Sequence, residues 1–118
     1  MPAGQLSIEY QPIVSLRTGR MDKAEALLRW QHPAEGRISP ARFIPLAERS
    51  GLILPISQWV FRQACEQLVR WRATDPRLQL SINKSPLEFH GEITYLKDEV
   101  AFLQSIGLPG EAVAVEIT

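Results

Sequence analysis

Read for the spacing of apolar and polar positions, the chain alternates between stretches of period two and stretches of period three to four. Residues 6–16 are rich in β-branched and aromatic types (Ile8, Tyr10, Ile13, Val14), and Thr18-Gly19 follows with turn chemistry. This predicts a strand, a turn, and a second strand over about residues 22–30. So short a connection predicts an antiparallel pair, because a parallel return needs a crossover of a dozen or more residues. Gln31 to Gly36 breaks the pattern and reads as a loop, in which His32, alone and before Pro33, is ordinary loop chemistry rather than a metal ligand. Ser39-Pro40 then marks a helix start, with serine as cap and proline at the first helical position, where its missing N–H costs nothing. Phe43, Ile44 and Ala47 form the apolar stripe of this short helix, and Gly51 ends it. A longer helix is predicted over about residues 55–72, where Ile56, Val60, Ala64, Leu68 and Trp71 recur every three or four positions. Trp59 and Cys65 flank that stripe and read as core.

Thr74-Asp75-Pro76 stops the long helix, and residues 78–82 read as a strand running into Asn83-Lys84-Ser85-Pro86. Alternation sets Ser81, Asn83 and Ser85 on one side, with Leu80 and Ile82 on the other. Lys84 points away from Asn83 in this scheme and receives no role. Leu96, Val100 and Leu103 predict a helix over about residues 92–106, stopped by Gly107 with Pro109 beyond. A last strand, residues 112–118, is mostly apolar until it delivers Glu116. Strands alternating with helices argue for an α/β fold with a largely parallel sheet and helices outside it.

The stretch Ala24-Glu25-Ala26-Leu27-Leu28-Arg29-Trp30 is the informative one. As a strand it puts Ala26, Leu28 and Trp30 on one face and Glu25, Leu27 and Arg29 on the other. Glu25 and Arg29 are then roughly 13 Å apart along the chain, too far to pair, so each needs its own partner. Those partners are either neighbouring strands or, in a polar site, a cation for Glu25 and an anion for Arg29. Glu25, Asn83 and Glu116 each read as polar residues closing a strand. In parallel sheets ligands bind beyond the carboxyl ends of the strands. Two carboxylates and an amide oxygen there form an all-oxygen set suited to a hard divalent metal rather than zinc, with Arg29 placed to hold a phosphate. The alternative, polar residues that merely cap the strands, stays open on spacing alone.

The chain has 118 residues, 13 basic and 13 acidic side chains, and zero net charge, which leaves no basic footprint for DNA or RNA. Cys65 is the single cysteine, so no intrachain disulfide forms. No apolar run approaches 18 residues and the N-terminus lacks signal-peptide order, so a cytoplasmic domain with no membrane segment is expected.

Several ordered blocks are similar to one family: Tyr10-Gln11-Pro12-Ile13-Val14, the run from Glu25 to Pro33, Pro40 with Phe43 to Glu48, Gly51-Leu52-Ile53, Ser81 to Pro86, and Val115-Glu116-Ile117-Thr118. They resemble the EAL domain, the bacterial cyclic di-GMP phosphodiesterases, named for the tripeptide present here as Glu25-Ala26-Leu27. The resemblance implies a partial (β/α)8 TIM-like barrel with its first strand antiparallel, residues 1–118 forming the N-terminal half with roughly the first four strands. It implies Mg2+ or Mn2+ held by Glu25, Asn83 and Glu116, with Ca2+ inhibitory and Glu25 catalytic. Gln11, Leu27, Arg29 and Pro40 would line the dinucleotide pocket. A complete barrel needs about 250 residues. The family's paired aspartates, its water-positioning lysine and a further metal-binding glutamate belong to the second half and have no counterpart in these residues. The implied activity is hydrolysis of cyclic di-GMP to pGpG by the parent domain, with this chain alone inactive. The alternatives are a non-catalytic module binding cyclic di-GMP or a protein, and an inactive fragment. Open sheet edges further predict a homodimer or higher assembly.

Overall fold

A computed structural model describes residues 4–86 and 94–117, the side chains of residues 94–96 excepted. The two β-rich stretches form the strands β1 (Leu6–Val14) and β2 (Met21–His32), paired antiparallel from Leu6 opposite Trp30 to Val14 opposite Met21. β2 does not end at Trp30 as predicted. It runs on to His32 and turns back as β3 (Gly36–Ile38), so the expected loop is a tight hairpin. His32 fastens that turn, its Nδ1 accepting the N–H groups of Ala34 at 3.1 Å and Glu35 at 3.2 Å. A local turn of this kind leaves no gap in hydropathy for a sequence reading to detect.

Helix α1 (Pro40–Ser50) begins as predicted: Ser39 Oγ accepts from Ala41 N at 3.2 Å, and Pro40 takes the first position. Gly51, at φ 79°, closes it in the left-handed region that favours glycine. Helix α2 (Ile53–Arg72) lays Ile56, Val60, Ala64 and Leu68 on the sheet, and Trp71 meets Tyr10 of β1 edge to face at 4.8 Å. β4 (Gln79–Lys84) and β5 (Val113–Ile117) join in parallel, giving the order β1-β2-β4-β5 with β3 beside β2. The sheet thus has five strands, one more than anticipated, the addition being β3. A single 3-10 turn (Gly110–Ala112) precedes β5.

The sheet has one packed face. Ala24, Ala26, Leu80 and Ile82 project toward the helices and are buried with the α2 stripe. The small alanines of β2 leave room for the bulkier helix side chains, and close packing of this kind supplies most of the stability of such a layer. Among the described residues no helix is long and apolar enough to cross a membrane.

Helix α3 (Thr94–Ser105) departs from its predicted stripe. Leu103 is buried, but Val100 is 52% exposed and Glu99 faces inward in its place. Positions 92 and 93, the Leu96 side chain and Thr118 lie outside the described residues. The cause of the rotation is Lys84, which continues the inward phase of Leu80 and Ile82 and is fully buried. Its Nζ lies 2.7 Å from Glu99 Oε2 and 3.2 Å from Ser57 Oγ, with the Phe61 ring centroid at 5.4 Å. A buried ammonium without a counter-charge is costly, so α3 presents its carboxylate there rather than a valine. Lys84 therefore has a structural role that alternation alone did not assign. The neighbouring Cys65 thiol is pushed from its ordinary 9.0 up to about 12, by burial first and then by the Glu99 carboxylate, with Lys84 opposing.

Candidate functional site

Parallel pairing decides which side chains share the open face of the sheet. Glu25 is in register with Ser81, and Asn83 with Glu116. Residues in register project to the same side, so Glu25, Leu27 and Arg29 of β2, Ser81 and Asn83 of β4, and Glu116 of β5 form one row-and-column array. Asn83 stands one pleat beyond Ser81, and from there its Nδ2 donates to Glu25 Oε2 at 2.8 Å. Glu25 is not at the carboxyl end of β2, as strand-end reasoning had it, but seven residues before His32. It lies instead where the parallel ladder stops: β2 pairs with β4 only from Lys23 to Ala26.

Beyond that point a pocket of 370 Å³ opens between β2, the end of β4 and the two helices. Glu25, Leu27, Arg29, Pro40 and Asn83 all line it, with Phe43, Ile44, Ile53 and Ile56 forming its apolar wall. Gln11 and Glu116 are not in the lining. Each is exposed on a flanking strand, Gln11 opposite Glu25 on β1 and Glu116 opposite Asn83 on β5. Arg29 lies farther along β2 than Glu25, where its Nε is 3.6 Å from Glu9 Oε2 of β1 and its Nη1 donates to the Leu28 carbonyl at 3.3 Å. Neighbouring strands thus partner both charges, Asn83 for Glu25 and Glu9 for Arg29.

The donor set suits a hard cation chemically: carboxylate, amide and carboxylate on three adjacent strands, with no sulfur or imidazole among them. Two strand spacings and a two-residue offset, about 12 Å in all, separate the backbones at Glu25 and Glu116, a span that two glutamates with Asn83 between them can close. Among the described residues, no three His, Cys, Asp or Glu side chains are gathered as a cage, so any metal here depends on the Asn83 oxygen. Ser85 Oγ donates to Glu48 Oε2, which ties the end of β4 to α1 beside the pocket. Sequence reasoning missed this contact and the Lys84 cluster. The available signal was a lysine in an apolar alternation phase.

A larger cavity, 580 Å³, lies between α2 and α3. None of the predicted site residues lines it. Its Arg62 guanidinium rests over the Phe102 ring at 4.6 Å, an ordinary helix-surface contact.

The EAL domain family model matches residues 1–118. The chain is 42% identical over 116 residues to the uncharacterized protein y4lL of Sinorhizobium fredii, covering 98% of this chain and 13% of that protein. It is 41% identical over 109 residues to the cyclic di-GMP phosphodiesterase PA2567 of Pseudomonas aeruginosa, covering 92% of this chain and 18% of that protein. Among solved structures, the PaMucR phosphodiesterase in complex with c-di-GMP matches with a TM-score of 0.86 at 36% identity, over 94% of this chain and 45% of that one. The FimX EAL domain from Pseudomonas aeruginosa bound to c-di-GMP matches with a TM-score of 0.80 at 25% identity, over 96% and 44%. The chain therefore spans less than a fifth of these curated relatives and less than half of these solved chains.

Proposed function

The chain belongs to the EAL domain family, and from that premise we propose that its strand-end pocket takes cyclic di-GMP together with a hard divalent cation, in a cytoplasmic signalling protein. The observation that carries the reading is the Glu25 carboxylate, hydrogen-bonded to the Asn83 amide and sharing one pocket with Arg29. Residues 1–118 are, in this reading, the N-terminal half of an EAL barrel. Glu25, Asn83 and Glu116 would hold Mg2+ or Mn2+, with Ca2+ occupying the same oxygens unproductively. A cation bound there supplies charge stabilisation at a phosphoryl oxygen. The chain's own residues do the rest: Asn83 orients Glu25, Arg29 exchanges Glu9 for a phosphate oxygen, and Gln11, Leu27 and Pro40 flank the dinucleotide.

The parent domain would open cyclic di-GMP to pGpG, using carboxylates and a lysine from the second half of the barrel. The 118 residues alone bind without turnover. Titration calorimetry with cyclic di-GMP should therefore give heat when Mg2+ or Ca2+ is present and none after EDTA, with no pGpG formed. No heat with either cation would remove the binding reading. Accumulation of pGpG that Glu25→Ala abolishes would overturn the lack of turnover. Product analysis of the parent protein separates hydrolysis from a purely binding role.

The isolated chain should also self-associate. Val115 and Ile117 continue the helix-side face of β5 and are 43% and 61% exposed, on the last strand of the sheet order. Uncovered apolar side chains beside an open edge drive pairing, so we expect a homodimer or higher assembly with Glu116 near the interface. Sedimentation of dilute protein should report a mass above 13.3 kDa. A compact, cooperatively melting monomer would refute this.

A further inference from the structure

The open face of the sheet carries a second charged group outside the Glu25–Asn83–Glu116 set. Glu9 of β1 stands opposite Leu27, and Arg37 of β3 stands opposite Gln31, so pairing puts both on the face that bears Arg29. One carboxylate takes both guanidiniums: Glu9 Oε1 accepts from Arg37 Nη2, and Glu9 Oε2 lies 3.6 Å from Arg29 Nε. The three side chains are accessible, with exposures of 55% for Glu9, 57% for Arg37 and 26% for Arg29. Two cations against one anion leave this trio with an excess of positive charge, next to the pocket that Arg29 lines.

We propose that Arg29 and Arg37 form a two-guanidinium clamp for an anionic phosphodiester, and that Glu9 occupies the clamp as an internal competitor until the ligand arrives. The inference rests on the cyclic di-GMP reading of the pocket and adds to it two residues, Arg37 and Glu9, that the family resemblance does not assign. A guanidinium presents the same planar fork to carboxylate and phosphate, so whatever holds Glu9 also fits a phosphodiester. Exposed ion pairs are weak and screened by salt, so Glu9 is held loosely enough to be displaced. The unpredicted strand β3 makes this possible. By folding back on β2 it sets Arg37 on the face that carries Arg29, two residues ahead of the Ser39 cap and close to Pro40 at the pocket wall.

The test measures dissociation constants of the 118-residue chain for cyclic di-GMP, with Mg2+ present, and for inorganic pyrophosphate as a base-free probe. Arg37→Ala should weaken binding about tenfold, the loss of charge-assisted hydrogen bonds to an accessible phosphate. Glu9→Gln should tighten it about threefold, the release of an exposed ion pair, and the wild type should lose more affinity with added salt than Arg37→Ala does. Arg70→Ala, on the last turn of α2 and bonded to Gln67, removes the same charge elsewhere and should leave binding unchanged. All three substitutions lie on the surface, so unchanged melting temperatures verify the fold. An Arg37→Ala affinity within twofold of wild type, or an equal loss in Arg70→Ala, overturns the clamp while the cyclic di-GMP reading stands. Arg37-dependent binding of pyrophosphate without any binding of cyclic di-GMP would keep the clamp and remove that reading. Failure to bind either probe removes both.

Discussion

Lys84→Met should cost the folded chain about 3–5 kcal/mol, the usual penalty for breaking a buried ion pair by removing one partner. The Lys84 side chain is fully buried and that of Glu99 is 10% exposed. With the ammonium gone, the Glu99 carboxylate is left between α2 and α3, where it shares the cavity lining with Phe61 and Phe102, without the charge that drew it there. A loss of this size is a large part of the roughly 5–15 kcal/mol that holds an ordinary domain together. Glu99→Leu should be costly for the same reason, and combining it with Lys84→Met should recover a large part of the loss, because apolar replacements of both partners remove the desolvation cost together. Urea melts of the two single variants and the double variant measure this directly. A Lys84→Met cost under about 1 kcal/mol, or a double variant no better than the sum of the singles, would show that the pair does not lock α3 to the sheet.

Glu25→Gln should weaken divalent-cation binding by at least about 100-fold, since it removes a full negative charge from a site with few anionic ligands and no sulfur or imidazole to compensate. The glutamine keeps the shape and can still accept the Asn83 Nδ2 hydrogen bond, now made to Glu25 at 2.8 Å. The melting temperature should therefore hold within a few degrees while Mn2+ affinity, followed by paramagnetic resonance of the free ion, collapses. Cation-dependent heat of cyclic di-GMP binding should vanish with it. An unchanged Mn2+ affinity in Glu25→Gln would remove Glu25 from the metal site whatever happens to the dinucleotide.

The strand containing Glu25 was legible because alternation is a local property. Ala24, Ala26 and Leu28 turn to the helices, and Glu25, Leu27 and Arg29 turn away, as period two requires. The gathering of Glu25, Leu27, Arg29, Pro40 and Asn83 around one pocket could be anticipated through the family resemblance. From spacing alone it remained one of two readings. Glu25 lies where the parallel ladder between β2 and β4 stops rather than at the end of β2 itself, and where a ladder stops depends on both strands, so the pattern of β2 alone could not place it.

By itself the sequence determined the features that a few neighbouring residues control. These are the Ser39 and Pro40 start of α1, the Gly51 stop, the α2 stripe through Leu68 and the antiparallel return from β1 to β2. Their physics, caps and side-chain periodicity, acts within one or two turns of chain. Only the tertiary structure decided which partner each charge takes: Glu25 the Asn83 amide across 58 residues, Glu48 the Ser85 hydroxyl across 37, and Lys84 the Glu99 carboxylate across 15. The same choice turned α3 so that Glu99, not Val100, faces inward. A buried or half-buried charge takes its partner from whatever the packing desolvates beside it, and that neighbour exists only once the strands and helices are in place.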